Sequence, residues 1–292
     1  MDIRTLQYFL AVARKESITG AAEFLHMTQP PLSRQLKEME TELGKQLFIR
    51  GNRKITLTED GLILRKRAEE IIELVEKTKS ELSTSHANIN GDVFIGSAET
   101  EGIRLVACTI KKLQKDYPSI HFHLFSGQAE DVAERLDRGL LDFGIFIEPA
   151  ALDRYDFIKL PATDIWGLLM RKDSPMAAHK TISPQDLLGL PIIFSNQTMV
   201  KNEISGWMGK DYAKLNIVAS YNLLYNASLL VEEGVGYALC LDHIIKTEKN
   251  LPLHFIPLEP KLEVGLNIAW KKYQVFSKSA GKFLEQLQKE FI

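Results

Sequence analysis

The chain has 292 residues, 45% of them hydrophobic, which is enough for two or three packed domains and excludes a disordered polymer. No apolar run is long enough to span a bilayer, and the N-terminus lacks the basic segment, apolar stretch and small-residue cleavage site of a secretion signal. No membrane partner and a cytoplasmic location are therefore expected. The formal net charge of −2 excludes a uniformly basic protein, so DNA affinity would need a local basic surface.

A first helix is expected over Met1 to Lys15, with Ile3, Leu6, Phe9, Leu10 and Ala13 on one face. Ile18, Ala21, Ala22 and Leu25 then recur at i, i+3, i+4, i+7, the apolar face of a short second helix. His26-Met27-Thr28 interrupts, and a third helix opens with Thr28 as its expected cap. Pro30 and Pro31 fit its first turn, where an N–H would have no intrahelical partner. Leu32, Leu36, Met39 and Leu43 form its buried stripe, and Gly44 stops it. Away from that stripe, Gln29, Pro30, Ser33, Arg34 and Lys37 crowd the N-terminal half, the part that a recognition helix presents to the major groove. Arg can bridge guanine O6 and N7, and Gln can pair with adenine. Helix spacing alone fits a helical hairpin with a solvated charged face equally well.

Leu47 to Arg50, a turn at Gly51-Asn52-Arg53-Lys54, and Ile55 to Thr58 read as strand, turn, strand. Beside a helix-turn-helix such a hairpin is a wing, and Arg50, Arg53 and Lys54 are placed for phosphate or minor-groove contact. A long helix follows to about Ser85. Thr58 and Gly61 do not make a capping box, but Glu59 and Asp60 suit the helix N-terminus. Leu64, Ala68, Ile71, Val75, Thr78 and Leu82 alternate spacings of four and three, a seam that buries best against another helix. It reads as a dimerisation helix, the alternative being a helix packed on its own domain. Polar residues 83–90 suit a hinge.

Beyond the hinge the grammar becomes α/β. Strands are expected at Asp92 to Gly96, Ile120 to Phe125 and Leu141 to Ile147, with helices at Gly102 to Lys115 and Glu130 to Arg138. A second unit begins near Asp164, with strands Ile165 to Arg171, Pro191 to Ser195 and Asn216 to Tyr221, a helix Lys201 to Lys210, then helix and strand through Leu241. Leu262 to Trp270 returns as a strand to the first unit, and Ser277 to Ile292 closes as an amphipathic helix. Alternation of this kind implies a largely parallel sheet, in two lobes flanking a cleft.

Catalytic motifs are scarce. There is no G-x-S-x-G, no Walker loop and no G-x-G-x-x-G; Gly234-Val235-Gly236 lacks the third glycine. Cys108 and Cys240 form no C-x-x-C pair and read as small buried hydrophobes. His121 and His123 share a strand face without a third ligand at suitable spacing, so no metal and no cofactor are expected. Ligands of open α/β sheets sit beyond the carboxyl ends of strands. That rule selects Ser97, Thr100, Ser126 and Gly127 on one lobe, and Ser195, Asn196, Gln197, Thr198 and Asn222 on the other. For each residue, helix capping or turn formation is the alternative.

The phrases Leu6-Gln7-Tyr8-Phe9, Ala21-Ala22-Glu23-Phe24-Leu25, Gln29-Pro30-Pro31-Leu32-Ser33, Glu40-Thr41-Glu42-Leu43-Gly44, Leu47-Phe48-Ile49-Arg50 and Leu57-Thr58-Glu59-Asp60-Gly61 resemble the LysR-type transcriptional regulators. The resemblance is motif-specific to about Glu81 and continues in organisation to the C-terminus. Two positions depart from common usage: His26 stands where many such turns use Gly, and Pro31 where Ala is frequent. The resemblance implies a multidomain α+β protein. Residues 1–58 would be a winged helix-turn-helix, 59–90 a dimerisation helix and hinge, and 91–292 a two-lobed α/β effector domain like the periplasmic binding proteins. Lobe I would cover about 91–161 and 267–292, and lobe II about 162–266. It further implies a homodimer or homotetramer on double-stranded DNA, at a pseudo-palindromic operator, governed by a small-molecule effector in the cleft. Effectors of the family are often carboxylates, against which Glu99 and Glu101 stand unless they point outward; an amino-bearing effector stays open. The rival readings are an enzyme or solute-binding protein centred on the α/β half, and a helix-turn-helix used for protein contacts.

Overall fold

The computed structural model describes residues 1–51, 54–82, 89–248 and 250–292, without the side chains of Arg50, Ser80, Thr198 and Met199. Arg53, the side chains of Arg50 and Thr198, and most of the expected hinge therefore lie outside the described residues. The chain divides into two units, Met1–Ser83 and Thr84–Ile292.

In the first unit Asp2 caps α1 (Ile3–Lys15) by accepting from the Thr5 amide at 2.7 Å, and Ser17 caps α2 (Ile18–Phe24) by accepting from Gly20 at 3.1 Å. The chain then turns through His26 at φ 53°, a left-handed conformation that His tolerates better than most side chains. Next comes α3 (Gln29–Leu43). Thr28 is its N-cap residue, but its hydroxyl accepts no capping bond, contrary to expectation. The reason is local: the second and third helical positions are Pro30 and Pro31, which have no N–H to give. Gly44 ends the helix at φ 63°.

Leu6, Phe9, Val12, Ala21, Ala22, Leu32, Leu36 and Met39 close the three-helix core, while Ile3, expected inside, is exposed. The hairpin β1 (Phe48–Arg50) and β2 (Ile55–Leu57) adds Leu47 and Phe48 to that core. Glu40 on α3 ties the hairpin down by accepting from the Leu47 amide at 2.7 Å.

Thr58 fixes the start of α4 (Glu59–Leu82). Its hydroxyl donates to the Gln46 carbonyl at 2.7 Å and accepts from the Gly61 amide at 3.0 Å. The apolar residues of α4 divide into two stripes. Leu64, Ala68 and Ile72 pack into the core of their own unit, Ala68 completely buried. Ile71, Leu74 and Leu82 are exposed. The single seam read from the sequence is thereby corrected. Leu64 and Ala68 cover α1, Ile71, Thr78 and Leu82 face outward, and Val75 is half-buried between them. A 3.6-residue helix carrying two neighbouring stripes presents a mixed four-three spacing when they are read as one.

The second unit is built on one mixed sheet in the order β4-β3-β5-β11-β6-β9-β7-β8, with β10 paired to β6. Lobe I contains β3 (Gly91–Ser97), β4 (Ile120–Ser126) and β5 (Phe143–Ile147), parallel to one another. It is covered by α5 (Ile103–Asp116) and the C-terminal α9 (Lys278–Phe291) on one face and by α6 (Ala129–Asp137) on the other. Lobe II contains β7 (Pro191–Ser195), β8 (Asn216–Tyr221), β9 (Tyr237–Leu241) and β10 (Leu253–Pro257), with α7 (Thr198–Met208) and α8 (Leu224–Glu232).

Two strands join the lobes. β6 (Tyr155–Arg171) runs unbroken through both, its first half antiparallel to β11 (Glu263–Lys271) and its second to β9 and β10. Sequence reasoning found only its second half. Pro161 argues against a strand, but the register shift opposite Gly265/Leu266 leaves Pro161 and Ala162 without ladder partners, so no missing N–H is felt. The largely parallel sheet expected is thus a mixed one. Cys240 is buried as expected, whereas Cys108 is exposed on α5.

A Cβ at Gly61 would collide with the Leu47 carbonyl oxygen, whereas one at Gly20 would meet only ordinary contacts with Ser17. Gly61→Ala is expected to destabilise the N-terminal unit by about 2 kcal/mol or more, because backbone must move. Gly20→Ala should stabilise it by about 0.5–1 kcal/mol through helix propensity. Urea unfolding followed by circular dichroism checks both, and equal midpoints for the two variants would contradict the close packing assigned to Gly61.

Candidate functional site

The first candidate surface is the N-terminal half of α3. Leu32, Leu36 and Met39 hold one side of the helix in the core, which turns Gln29, Pro30, Arg34 and Lys37 out to solvent, with Ser33 half-buried beside them. The Arg34 side chain is 81% exposed, and its Nε donates to Glu38 one turn along at 2.8 Å. That leaves the guanidinium preoriented along the helix, with donors for a base edge or phosphate. On the wing, Lys54 pairs with Glu16 at 3.2 Å, and the Glu16 carbonyl accepts from the Ile55 amide at 2.8 Å.

The second candidate is a cavity of about 270 Å³ between the two lobes of the α/β unit. Of the residues selected by the strand-end rule, Ser195, Gln197 and Asn222 line it. Asn196 reaches across to lobe I, where its Oδ1 accepts from Gln128 Nε2 at 2.5 Å. Ser97, Thr100 and Ser126 instead line a neighbouring recess that shares Glu99 and Ile244 with the cavity. Gly127 lines neither; its amide donates to the Ser97 carbonyl at 3.1 Å, and the Phe125 ring occupies the space a Cβ would need. Two of these lobe I hydroxyls are already committed. Ser97 donates to the Ala98 carbonyl at 2.6 Å, and buried Thr100 donates to Asp164 while accepting from Gly102 at 3.0 Å.

Residues missed by sequence reasoning make up most of the wall. Glu148, Pro149, Ala150 and Ala151 follow β5 and were open to the same strand-end rule. Phe146, Tyr155, Trp166, Tyr221 and Cys240 reach the cavity from strands, and Val200 and Glu203 from α7. Apart from the charge on Glu203, nothing in their local sequence distinguishes them from core.

The electrostatics of the cavity are lopsided. Four glutamates line it, Glu99, Glu130, Glu148 and Glu203, against one guanidinium, Arg154, which is paired with Asp137 at 3.0 Å. Glu99 accepts from the Leu224 amide, placing a lobe I carboxylate on the N-terminus of the lobe II helix α8. Glu148 accepts from Asn267 Nδ2 at 3.1 Å and pairs with Lys159, and these partners hold its carboxyl below the usual range. Glu203 has no cation within ion-pair distance among the described residues, and burial pushes its carboxyl up to about 7. The Trp166 indole N–H faces it without reaching hydrogen-bonding geometry and is otherwise buried and unpaired. Burial also raises the Cys240 thiol, so this sulfur is a neutral wall group and not a thiolate. His123 of β4 is engaged elsewhere: it bonds Asp92 at 2.8 Å and stacks on Phe94. No group of three potential metal ligands occurs among the described residues, and no described helix is long and apolar enough to cross a membrane.

Known proteins combine the same two parts. A model of the bacterial regulatory helix-turn-helix protein, lysR family, matches residues 3–62, and the LysR substrate binding domain matches residues 86–292. The HTH-type transcriptional regulator BsdA of Bacillus subtilis (strain 168) is 29% identical over 294 residues, covering 98% of this chain and 99% of BsdA. A hydrogen peroxide-inducible genes activator of Pectobacterium carotovorum subsp. carotovorum is 31% identical over 190 residues, covering 65% of this chain and 62% of that protein. Among solved structures, CbnR, a LysR family transcriptional regulator, matches with a TM-score of 0.79 over 100% of both chains at 18% identity. Full-length CbnR complexed with its target DNA matches at 0.76 over 99% of both chains, at 19% identity, a likeness of fold. With a helix-turn-helix match at one end and a substrate-binding match over most of the remainder, the chain belongs to the LysR family of bacterial transcriptional regulators.

Proposed function

We propose that this protein is a cytoplasmic regulator that binds a pseudo-palindromic operator as a homodimer or homotetramer and responds to a small molecule held between the lobes of its α/β unit. The observation that carries the DNA half of the reading is the solvent-facing row Gln29, Arg34 and Lys37 on a helix whose opposite side is locked into a core. Arg34 and Gln29 read base edges, while Lys37 and the wing cations Arg50, Arg53 and Lys54 contact phosphate. The exposed stripe Ile71, Leu74 and Leu82 on α4 supplies the self-association surface. The effector acts only through its different affinity for the DNA-competent and incompetent arrangements, so no covalent chemistry is involved.

The deciding experiment is binding of the purified protein to its own upstream intergenic DNA across a salt series, with scrambled duplex as control. Selective, salt-sensitive binding is expected; strong binding to both duplexes alike would contradict base readout. Arg34→Ala should lose about 1–3 kcal/mol of operator selectivity with the fold intact. Lys54→Ala should weaken both duplexes similarly and reduce the salt slope by about one. Were Arg34→Ala to bind as selectively as the native protein, Arg34 would not be a reader.

Leu74→Glu, which puts a charge on the open stripe of α4, is expected to shift the protein toward monomer in sedimentation without loss of helical signal. An unchanged oligomer would move the interface elsewhere.

A further inference from the structure

The chemistry of the cavity between the lobes selects a class of effector, and the inference rests on reading that cavity as the effector site. Three features converge. First, carboxyl groups outnumber cations in the lining, and one of them has no counter-ion. Glu99 and Glu148 are spent on internal partners, whereas Glu203 has no ion-pair partner among the described residues. Second, the helix N-terminus that would hold a ligand carboxylate is already occupied, because Glu99 places its own carboxylate on the first amide of α8. An incoming anion would compete with a tethered one and face Glu203 unshielded. Third, a buried acceptor on the wall lacks a donor among the described residues. A more open recess shares Glu148, Tyr155 and Glu203 with the cavity and adds Asn267, 2% exposed. Because Asn267 donates Nδ2 to Glu148, its Oδ1 is the atom left without a donor.

We propose that the effector is a small amphipathic cation: a protonated amine held by Glu203 and Asn267 Oδ1, with an apolar or aromatic body against Phe146, Trp166 and Val200. The ammonium supplies the donor that Asn267 Oδ1 lacks and the counter-charge that Glu203 lacks among the described residues. A cavity of about 270 Å³, just under the range for drug-sized ligands, suits a metabolite with one ring or a short chain.

Isothermal titration calorimetry on the full chain with 2-phenylethylamine, 2-phenylethanol and phenylacetate tests the class. The amine is expected to bind most tightly, the alcohol more weakly and the acid least. Glu203→Gln should weaken the amine about tenfold or more and narrow the gap between amine and alcohol. Glu203→Lys should turn the preference toward phenylacetate, and a thermal melt reports whether each variant stays folded. Affinity for the amine should also rise with pH through about 7, since its binding needs the ionised Glu203 that burial disfavours. The other charged groups lining the cavity and the recess with Glu203 are Glu99, Glu130, Glu148, Glu263 and Asp153, with Lys272 and Arg154; of these, Glu148, Glu263 and Arg154 are ion-paired in the free protein. Phenylacetate binding as tightly as the amine, amine binding indifferent to Glu203→Gln, or no binding of any probe at millimolar concentration would each overturn the proposal. Operator binding measured on the same preparation without amine separates the two failures. Selective DNA binding without amine binding refutes only the effector class; amine binding without DNA selectivity refutes only the regulator reading.

Discussion

Strands β6 and β11 belong to both lobes, and every polar contact across the cleft depends on where that pair holds the lobe faces. At the crossing, the Asp242 carboxylate accepts from the Ile165 amide at 2.9 Å, and the Asp242 amide donates back to the Ile165 carbonyl at 2.9 Å. Beside it lies Asp164, a carboxyl buried to 3% exposure, which accepts from Thr100 of the β3–α5 loop. Burial raises the Asp164 carboxyl and the Thr100 bond works against it. Burying this group is tolerable because it has a donor, and that donor pins the lobe I rim of the cleft to the crossing strand.

With the crossing fixed, the lobes also meet across the cleft through side chains of lobe I. Gln128 and Asn196 meet from opposite lobes, and Glu99 of lobe I reaches the amide of Leu224 in lobe II. The first joins two neutral amides and is the weaker; the second is charge-assisted, because a carboxylate meets the first amide of a helix.

The helix-turn-helix was legible because its signals are local. Helical spacing of Ile18, Ala21, Ala22 and Leu25, the proline pair at the third helix and Gly44 each act within a turn or two. The cavity was only half legible. Ser195, Gln197 and Asn222 follow strand ends and were reached by a topological rule, whereas Trp166 and Cys240 look like core residues in any window and become wall residues only once β6 and β9 are paired. The hydroxyls of Ser97 and Thr100 misled in the opposite sense, since a polar side chain after a strand is as readily spent on its own loop as on a ligand. The two stripes of α4 were merged because which face meets α1 is decided by tertiary packing that periodicity does not encode.

The ion pair between Arg34 and Glu38 also limits where that side chain can reach. Only Nε is spent on Glu38, so the terminal nitrogens keep their donors while the guanidinium is drawn along the helix. An exposed pair of this kind is worth up to about 1 kcal/mol, so the side chain is steered and not locked. Glu38 thus gives an exposed arginine a preferred direction, which leaves fewer rotamers to lose on any later contact.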